Sequence, residues 1–463
     1  MVNLITESAK YLMIFMFAYY TYECFAVFRK NVSEKKRKWI YNRQNTMMYL
    51  IHFAGFLVLY LATKDVQIIG FYLMQVILIS AILICYKIFY KKASRLLVNN
   101  MCMLLSISFL ILTRLSMNKA IKQYVICAVA TVLTMLIPFL MERLHFFHRL
   151  TWVYAAIGIL ALLLVAVAGS VSYGAKISIS LGGVSIQPSE FVKILFVFFV
   201  ASMLSIATDF KTVVITSVIA GTHVLILVAS KDLGGALIYF MAYLFMLYVA
   251  TRQPLYLVSG IGAGSVAAMI AYRLFSHVRT RVVAWKNPLS VIDKEGYQVS
   301  QSLFAIGTGG WFGMGLCQGM PKKIPVVEQD FIFSAISEEL GGIFALCLIM
   351  VCVSCLLMFF NIAMQMKNTF YKLVALGLGS VYGVQVLLTI GGVTKFIPST
   401  GVTLPLVSYG GSSLLSTMIL FGIIQGLYLL RQNEGELDVK GKKEPKPSKK
   451  KKTGFDAEIE DLS

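Results

Sequence analysis

Long runs of apolar residues fill most of the chain, and short polar or basic segments separate them. The runs are about 17 to 25 residues long, the length that an α-helix needs to cross the hydrocarbon core of a bilayer. The strict alternation of apolar and polar residues that is typical of a membrane β-barrel is missing. The pattern therefore predicts an all-α integral membrane protein, a polytopic helical bundle of about 13 transmembrane helices. We expect spans near residues 10–28, 46–63, 68–90, 99–117, 121–141, 150–169, 190–208, 212–230, 233–250, 255–275, 332–360, 371–391 and 413–431.

The composition supports this class and excludes others. Hydrophobic residues make up 58% of the chain and charged residues only 14%, far from the averages of soluble proteins. The formal net charge of +20 would suggest a nucleic-acid-binding protein, but the sequence offers no soluble domain with a basic face and interleaved aromatic residues. The eight cysteines show neither a CxxC pair nor a Cys/His metal spacing. We therefore expect no nucleic acid, no disulfide framework and no structural metal.

Most of the positive charge lies in short segments between the spans, and its distribution predicts the orientation. When the spans alternate, these segments all fall on one side, which we expect to be cytoplasmic. They are residues 29–45, 90–95, 142–149, 251–253 and the tail after 430. Only Lys10 precedes the first apolar run, and no cleavage site follows it. We expect an uncleaved first span, with the N-terminus outside and the C-terminus in the cytoplasm.

The same pattern divides the chain into three parts. Residues 1–98 are expected to form an N-terminal extension with three transmembrane helices, and residues 99–431 a ten-helix core. Residues 432–463 form a basic, low-complexity tail that we expect to be disordered and to contact anionic membrane lipids of the inner leaflet. A specific partner site in the tail is the alternative.

The segment 276–331 is the long polar stretch between spans, and the predicted topology places it outside. Its basic residues are His277, Arg279, Arg281, Lys286, Lys294, Lys322 and Lys323. External positive charge next to spans runs against the usual distribution, so it suggests a site for an anion such as a lipid phosphate or pyrophosphate. The alternative is that a long loop is translocated whatever its charge. A glycine-rich run at 307–319 would let backbone N–H groups approach such a ligand.

Acidic residues at membrane depth are costly and therefore suggest function. Glu190 and Lys193 stand one helical turn apart at the start of a span, either as part of a site or as an i, i+3 pair at the interface. Asp232 precedes a second span, and Asp330 precedes a third. We expect these groups to gather near the outer face of the membrane.

Two further features interrupt the apolar pattern. Glu338 and Glu339 have apolar sequence on both sides, which predicts that they face the interior of the bundle. The segment 392–413 contains two prolines and repeated Gly and Ser. Irregular backbone at this depth is tolerated where protein shields it or where it lines a cavity. We therefore expect a re-entrant or interfacial segment that shapes a cavity open to the outside.

Five segments together carry a family resemblance. They are IQPSEFVKILFVFFVA (186–201), KDLGGALIYFMAYLFM (231–246), GYQVSQSLFAIGTGGWFGMGL (296–316), DFIFSAISEELGG (330–342) and IPSTGVTLPLVSYGGSS (397–413). In order and spacing they resemble motifs of the SEDS family of shape, elongation, division and sporulation proteins, which includes FtsW, RodA and SpoVE. The resemblance covers roughly residues 99–431 and implies a ten-span topology. The first three spans have no counterpart in it.

The resemblance implies a peptidoglycan glycosyltransferase, an inverting polymerase that joins lipid II units at the outer face of the bacterial cytoplasmic membrane. Such proteins serve cell shape, division or sporulation. They act with a class B penicillin-binding protein that supplies transpeptidation, and with other divisome or elongasome proteins. The reaction needs a carboxylate base for the acceptor sugar hydroxyl and positive charge on the departing undecaprenyl pyrophosphate.

The resemblance also indicates where the base should stand. Val291 occupies the position at which the family has its essential Asp. Asp293, two positions later, is the candidate catalytic base, and Glu295 is the alternative. If neither reaches the site, the chain is a weakened or non-catalytic member. In a second departure, Lys176 is kept, but Ser178 stands where Trp is common in the family.

The residues that we expect to bind the lipid-linked substrate are spread over the five segments and the loop. They are Lys176, Pro188, Ser189, Glu190, Lys193, Asp232, Arg279, Arg281, Gln298, Gln301, Ser302, Lys322, Lys323, Asp330, Glu338, Glu339, Lys395, Pro398, Thr400, Ser408, Tyr409, Gly410, Gly411 and Ser412. No dedicated metal-ligand cluster is visible, so no cofactor is predicted, with a divalent cation that bridges the pyrophosphate as the alternative.

Two other functions stay open at this point. One is a lipid II flippase or another transporter of lipid-linked saccharides, which would need acids spread through the depth of the membrane. The other is a non-catalytic scaffold of the cell-wall synthesis complex, which the displaced Asp keeps open. The gathering of acids near one face favours the enzyme.

Overall fold

The fold is given by a computed structural model that describes residues 2–29, 33–144, 146–172, 175–181 and 184–441. Its helices are α1 (Val2–Ala26), α2 (Glu34–Thr63), α3 (Gln67–Phe89), α4 (Arg95–Leu115), α5 (Met117–Thr134), α6 (Ile137–Arg143), α7 (Thr151–Ala168), α8 (Ser189–Ile206), α9 (Phe210–Ala229), α10 (Leu233–Thr251), α11 (Pro254–Leu274), α12 (Ser276–Lys286), α13 (Tyr297–Gly309), α14 (Ile332–Gln365), α15 (Thr369–Val393) and α16 (Gly411–Gly441). Three short strands, β1 (Ser170–Ser172), β2 (Ala175–Leu181) and β3 (Val184–Ile186), form an antiparallel sheet in the order β1-β2-β3.

Within these ranges, 12 helical segments are long and apolar enough to cross a membrane, with α5 and α6 counted as one. The predicted all-α polytopic fold is confirmed. Ten of the 12 segments, from α4 onward, follow the predicted extension. Helix α1 has 25 residues but stays outside this set, because Glu7, Lys10 and Glu23 lower its mean hydropathy. It nevertheless packs against α2 and α14 and buries Phe17 and Tyr20 completely.

Helix α4 joins the extension to the rest of the bundle. Nearly all of its residues are buried, because α2, α3, α5 and α14 surround it. Helix α11 is the opposite case and has no buried residue. Helices α8, α10 and α15 pack on one another. This packing brings the N-terminal ends of α8 and α10 close to the chain that follows α15, and the candidate site lies there.

Several predicted boundaries were wrong for physical reasons. The basic block before residue 46 continues α2, because the Ser33 side chain caps the helix by accepting a hydrogen bond from the Lys36 amide. The loop 276–331 is largely helical and contains α12, α13 and the 3₁₀ turns Pro288–Val291 and Pro321–Lys323. The sheet before α8 was not predicted, although the alternating ISISL run in β2 is a strand pattern.

The end of the chain agrees better with expectation. Residues 394–410 form neither helix nor strand, which confirms the predicted irregular segment. Helix α16 runs past the predicted end at residue 431 and reaches Gly441. Residues 442–463, most of the predicted disordered tail, lie outside the described residues.

Helix α14 is broken at Gly341. This glycine has φ 89° and ψ 167°, a conformation that L side chains rarely adopt. A Cβ atom there would collide with the backbone of Phe312 and Gly313. The break therefore depends on close approach of the glycine-rich run 310–315, which the sequence could not show.

Candidate functional site

The N-terminal ends of α8 and α10 meet at Asp232. The Asp232 carboxylate caps α10 by accepting a hydrogen bond of 2.9 Å from the Gly235 amide. It accepts a second one of 3.2 Å from the Ser189 hydroxyl at the start of α8. Burial raises the pKa of Asp232, although the Gly235 hydrogen bond acts in the opposite direction. The predicted residues Ser189 and Asp232 are thus brought together.

Glu190, the residue after Ser189, forms an ion pair with Lys193 one turn further along α8, where the lysine is buried and the glutamate half-buried. The Lys193 ammonium lies 2.6 Å from Glu190 Oε2 and donates a 2.9 Å hydrogen bond to Gln385 Oε1 on α15. The Ser416 hydroxyl on α16 donates to the same Glu190 oxygen at 2.9 Å. The i, i+3 pair is present, and its further hydrogen bonds tie three helices together, whereas its part in a functional site stays a prediction. Such a pair is stable inside protein only when further hydrogen bonds satisfy both charges.

Arg281 on α12 reaches the irregular segment from the other side. Its Nη1 donates a 3.1 Å hydrogen bond to the Ser399 carbonyl. A Cβ atom at Gly401 would lie 3.6 Å from Arg281 Nη2 and 3.9 Å from Asp330 Oδ2, so the guanidinium and the carboxylate flank this glycine. Gly401 has φ 72°, which favours glycine at this point.

The electrostatics of these groups are coupled. Burial raises the pKa of Asp330 to about 6, and the attraction of Arg281 only partly offsets this effect. Burial also lowers the pKa of Arg281, whereas the negative charges of Asp330 and Asp232 act to raise it. We call Glu190, Lys193, Asp232, Arg281 and Asp330 the central cluster. It combines cations and half-buried carboxylates beside an irregular backbone segment, and cations of this kind suit a site for a phosphorylated substrate.

Several predicted residues of the irregular segment and α16 hold the backbone in place. The Ser408 hydroxyl accepts a 2.8 Å hydrogen bond from the Leu404 amide, and the Gly410 amide donates to Gln123 Oε1 at 3.3 Å. The Ser412 hydroxyl accepts a 3.0 Å hydrogen bond from the Gln187 amide, just before α8.

The other predicted residues of this segment differ in what they contact. The Tyr409 amide donates to the Glu328 carbonyl at 2.8 Å. The Thr400 hydroxyl is buried and has no hydrogen-bond partner in the described part of the chain. The Lys395 side chain is exposed, and its carbonyl accepts a 3.1 Å hydrogen bond from the Trp285 indole. Pro398 and Gly411 are half-buried.

Asp293 lies in the turn that leads into α13. Its side chain is exposed, as is that of Glu295, and neither carboxylate has an ion pair or a hydrogen bond with the described residues. Val291 is half-buried, and its carbonyl accepts a 3.0 Å hydrogen bond from the Gly296 amide. A Cβ atom at Gly296 would also touch the Val291 side chain. The turn is therefore tightly closed, with Asp293 on its solvent side.

Some predicted residues in and near α13 hold helices together through hydrogen bonds, whereas others are exposed on the surface. Ser302 is buried and bonds the Ser334 hydroxyl at 2.6 Å and the Val393 carbonyl at 2.9 Å, so it fixes α13 to α14 and α15. Gln298 Nε2 donates to the Pro325 carbonyl at 3.0 Å. Arg279, Lys322 and Lys323 are exposed, whereas Gln301 is half-buried. Pro188 precedes α8, and Lys176 belongs to β2, where its side chain lies outside the described structure.

Glu338 and Glu339 are buried, as predicted, but in a separate group. Two nitrogens of Arg114 bind Glu339 Oε1 at 2.9 and 3.0 Å, and Arg114 also donates to the Gly319 carbonyl at 3.3 Å. Glu338 Oε1 accepts a 2.9 Å hydrogen bond from the Met320 amide. We call these residues the kink cluster, because they lie immediately before the break at Gly341.

Sequence reasoning missed the polar partners that lie inside apolar spans. Gln385 and Ser416 complete the Glu190–Lys193 pair, and Arg114 completes the kink cluster. Each is a polar residue in a helix that is apolar enough to cross a membrane, a signal that was available in the sequence. The described residues contain no group of three or more His, Cys, Asp or Glu side chains that could hold a metal ion.

Comparisons with known proteins identify the family and the fold of the chain. A sequence profile of the family FTSW_RODA_SPOVE, described as "Cell cycle protein", matches residues 89–432. The peptidoglycan glycosyltransferase RodA of Mycobacterium tuberculosis is 38% identical over 273 residues, which cover 54% of this chain and 57% of that protein. The chain therefore spans little more than half the length of this relative. Stage V sporulation protein E of Bacillus subtilis is 34% identical over 278 residues, 58% of this chain and 75% of that protein.

Solved structures show the same fold. One chain of a structure reported as "Structural coordination of polymerization and crosslinking by a peptidoglycan synthase complex" has a TM-score of 0.62 at 24% identity, covering 73% of this chain and 98% of that one. The crystal structure of the Thermus thermophilus rod shape determining protein RodA has a TM-score of 0.54 at 24% identity, covering 73% and 97%.

Proposed function

Since the chain belongs to the FtsW, RodA and SpoVE family of cell cycle proteins, we propose that it is a peptidoglycan glycosyltransferase. In this proposal it joins lipid II units by an inverting transfer at the outer face of the bacterial cytoplasmic membrane, for cell shape, division or sporulation. Relatives that carry the name peptidoglycan glycosyltransferase support the reaction class. The chemistry of the central cluster supports the choice of a pyrophosphate-linked substrate.

The observation that carries the proposal is the position of Arg281 beside Gly401 and Asp330. A guanidinium presents several N–H donors in a plane, which suits the oxygens of a pyrophosphate leaving group. Arg281 and Asp330 form no ion pair in the described structure, and the guanidinium donates one hydrogen bond, to the Ser399 carbonyl. Its other N–H donors are therefore open to a substrate anion. Burial raises the pKa of the nearby Asp330 to about 6, and protonation of this carboxylate lowers the repulsion that such an anion meets.

The Glu190–Lys193 pair contributes by bonding α8 to α15 and α16, which fixes the positions of these helices next to Arg281 and Asp330. Ser189 and Asp232 link the same end of α8 to α10. Charge stabilisation of a departing pyrophosphate works best when the donors are already fixed, since no reorganisation is then needed in the transition state. The network therefore suits a rigid site for the leaving group.

For the general base we propose Asp293. A base must be free to accept the proton of the acceptor hydroxyl, and the Asp293 carboxylate carries no ion pair with the described part of the chain. Its place in the turn between α12 and α13 puts it on the same loop as Arg281. Glu295, also exposed, is the alternative base.

The test is polymerisation of fluorescent lipid II by the full-length protein together with its class B penicillin-binding protein. Asp293→Ala is expected to lower the polymerisation rate by about 10²- to 10⁴-fold, the usual contribution of a general base. Leu289→Ala, an exposed change on the neighbouring 3₁₀ turn, is the matched control and should keep the rate. If Asp293→Ala polymerises as fast as the unchanged protein, Asp293 is not the base.

A second variant tests the displaced acid directly. Val291→Asp restores the residue that the resemblance leads us to expect, and in the Asp293→Ala background it should recover polymer. Recovery would mean that both positions reach the same substrate hydroxyl. If Glu295→Ala alone abolishes polymer, the base is Glu295. If the unchanged protein makes no polymer with any partner, a transporter or scaffold function replaces the proposed one.

The topology that we propose places the N-terminus outside and the C-terminus in the cytoplasm. The basic segments at the ends of α2, α4 and α16 support this orientation. We also propose a class B penicillin-binding protein as partner, with other divisome or elongasome proteins, because polymerised strands need a transpeptidase. Cysteine accessibility from each side of the membrane tests the topology.

A further inference from the structure

A cavity of about 280 Å³ lies where the extension meets the rest of the bundle. Its walls come from the chain just after α1, the start of α2, the start of α4, the last turns of α14, and Tyr428 and Arg431 in the second half of α16. The residues that matter here are Arg37, Tyr41, Ser94, Asn361, Gln365 and Arg431. Because the candidate site lies at the other ends of α14 and α16, the cavity is separated from it by roughly the thickness of a membrane, about 30 Å.

The charges around this cavity are unbalanced. Arg37 and Arg431 both line it, and the described residues that line it include no Asp or Glu. The Nε atom of Arg37 is buried without a hydrogen-bond partner in the described structure. Two guanidinium groups that share one cavity repel each other unless an anion lies between them. Among the described residues, these two arginines therefore have no negative partner in the cavity.

A second arginine on α2, Arg43, also has a buried Nε without a hydrogen-bond partner in the described structure, but it has a counter-charge. Arg43 forms an ion pair with the buried Glu23 of α1. It also stacks on Trp39, with 3.6 Å from its Cζ to the ring centroid. Arg37 lies less than two turns earlier on the same helix and has no such carboxylate in the described residues. Because Arg37 lacks the carboxylate partner that Arg43 has, its guanidinium is available to bind an anion.

The remaining walls offer uncharged hydrogen-bonding groups. Tyr41 and Ser94 contribute hydroxyls, and Asn361 and Gln365 contribute amides that already bond each other at 2.6 Å. Arg431 stacks on Tyr428 at 4.8 Å, which fixes its guanidinium and leaves its edge free for hydrogen bonds. Arginine forks with neutral donors around them match the oxygens of a phosphate group.

We propose that this cavity is a phosphate-binding site and that an anionic phospholipid headgroup is its ligand. The cavity opens at the end of the bundle that we expect to face the cytoplasm, where anionic lipids are available to basic residues. Since α1 and α2 belong to the extension and α4, α14 and α16 to the family region, the bound phosphate bridges the two parts. The inference does not depend on the proposed enzymatic function.

The test is the thermal unfolding of the full-length protein in detergent, followed by tryptophan fluorescence. Inorganic phosphate at constant ionic strength, short-chain phosphatidylglycerol and short-chain phosphatidylcholine are titrated separately. A ligand that binds only the folded state raises the unfolding midpoint. We expect a rise of about 2 °C or more with phosphatidylglycerol and a smaller one with phosphatidylcholine. A rise with inorganic phosphate as well would identify a free phosphate as a second source, whereas its absence would leave the lipid as ligand.

The variant Arg37→Gln/Arg431→Gln should weaken the phosphatidylglycerol response by at least about tenfold in concentration, since each charged hydrogen bond is worth about that much. The matched control is Lys35→Gln/Lys38→Gln, which removes the same charge from exposed positions on α2. The proposal fails if the arginine variant responds as the unchanged protein does, or if the lysine control loses the response equally.

A further variant guards against a folding defect. If Arg37→Gln/Arg431→Gln does not give a monodisperse protein, Arg37→Lys/Arg431→Lys keeps both charges and removes only the guanidinium forks. We then expect a reduced response to phosphatidylglycerol, because lysine binds phosphate as a point charge. An unchanged response of this variant would also overturn the proposal.

Discussion

The central cluster and the kink cluster both bring carboxylates to the predicted outer end of the bundle, but their partners differ. In the kink cluster, Arg114 binds one oxygen of Glu339, and the Met320 amide donates to one oxygen of Glu338. In the central cluster, Asp330 keeps part of its surface, and burial raises its pKa to about 6. The first group fixes a helix break, and Asp330 in the second can still exchange a proton near physiological pH. Burial of an acid therefore does not by itself identify a site of chemistry.

The largest loss of stability is expected from a substitution that breaks the kink cluster. Arg114→Ala leaves Glu339, whose side chain is only 2% exposed, without its counter-charge. Loss of one partner of a buried ion pair costs about 3–5 kcal/mol, so we expect a much lower unfolding midpoint in detergent. Arg114→Met/Glu339→Met, which removes both charges, should recover most of the loss. If Arg114→Ala unfolds like the unchanged protein, the pair does not stabilise the break.

A substitution in the central cluster should have a smaller free-energy effect, and this effect should appear in the rate of catalysis. Arg281→Ala is expected to lower lipid II polymerisation by about 100-fold, or about 2.7 kcal/mol in the transition state. The unfolding midpoint should change little, since Arg281 is only half-buried. Arg281→Lys should recover part of the rate, because it restores the charge without the fork. Thr280→Ala, exposed on the same helix, serves as control. If Thr280→Ala loses as much of the polymerisation rate as Arg281→Ala, the leaving-group role of Arg281 is contradicted.

The smallest effect concerns the proton on Asp330. Its pKa is raised to about 6 in the folded protein, so the folded state binds more protons than the unfolded state between about pH 4 and 6. Stability should therefore fall as the pH rises through this window, by about 1 kcal/mol, since solvent screens a partly exposed group and reduces the effect of the full pKa shift. Asp330→Asn should remove this part of the pH dependence of the unfolding midpoint. A slope that Asp330→Asn leaves unchanged would show that other groups cause it.

The sequence alone predicted the membrane class and the family region, because long apolar runs and motif order are local properties of the chain. It also placed Glu190 and Lys193 one turn apart, which is enough to make them partners. It could not identify Gln385 as their third partner, since that contact joins residues far apart in sequence. The helical part of the polar loop was missed because its helices are short and weakly apolar.

The candidate site was predictable in kind and less so in detail. Arg281 and Asp330 were both expected to bind substrate, but only the fold shows that they flank Gly401. Glu338 and Glu339 were grouped with them, whereas the structure assigns them to Arg114 and to the loop backbone. A buried carboxylate predicted from apolar flanking sequence has no specified partner until the chain is folded. The base, Asp293, stays a prediction.

The break at Gly341 has a consequence for cooperativity. The Gly342 and Ile343 amides donate to the carbonyls of Gly310 and Trp311 at 2.8 and 3.1 Å. In return, the Met314 and Gly315 amides donate at 2.9 Å to the carbonyls of the two glutamates before the break. The loop thus supplies the hydrogen bonds that a continuous helix would have made for itself. Neither partner can open without exposing unpaired backbone of the other, so the loop and the two halves of α14 form a single local unfolding unit.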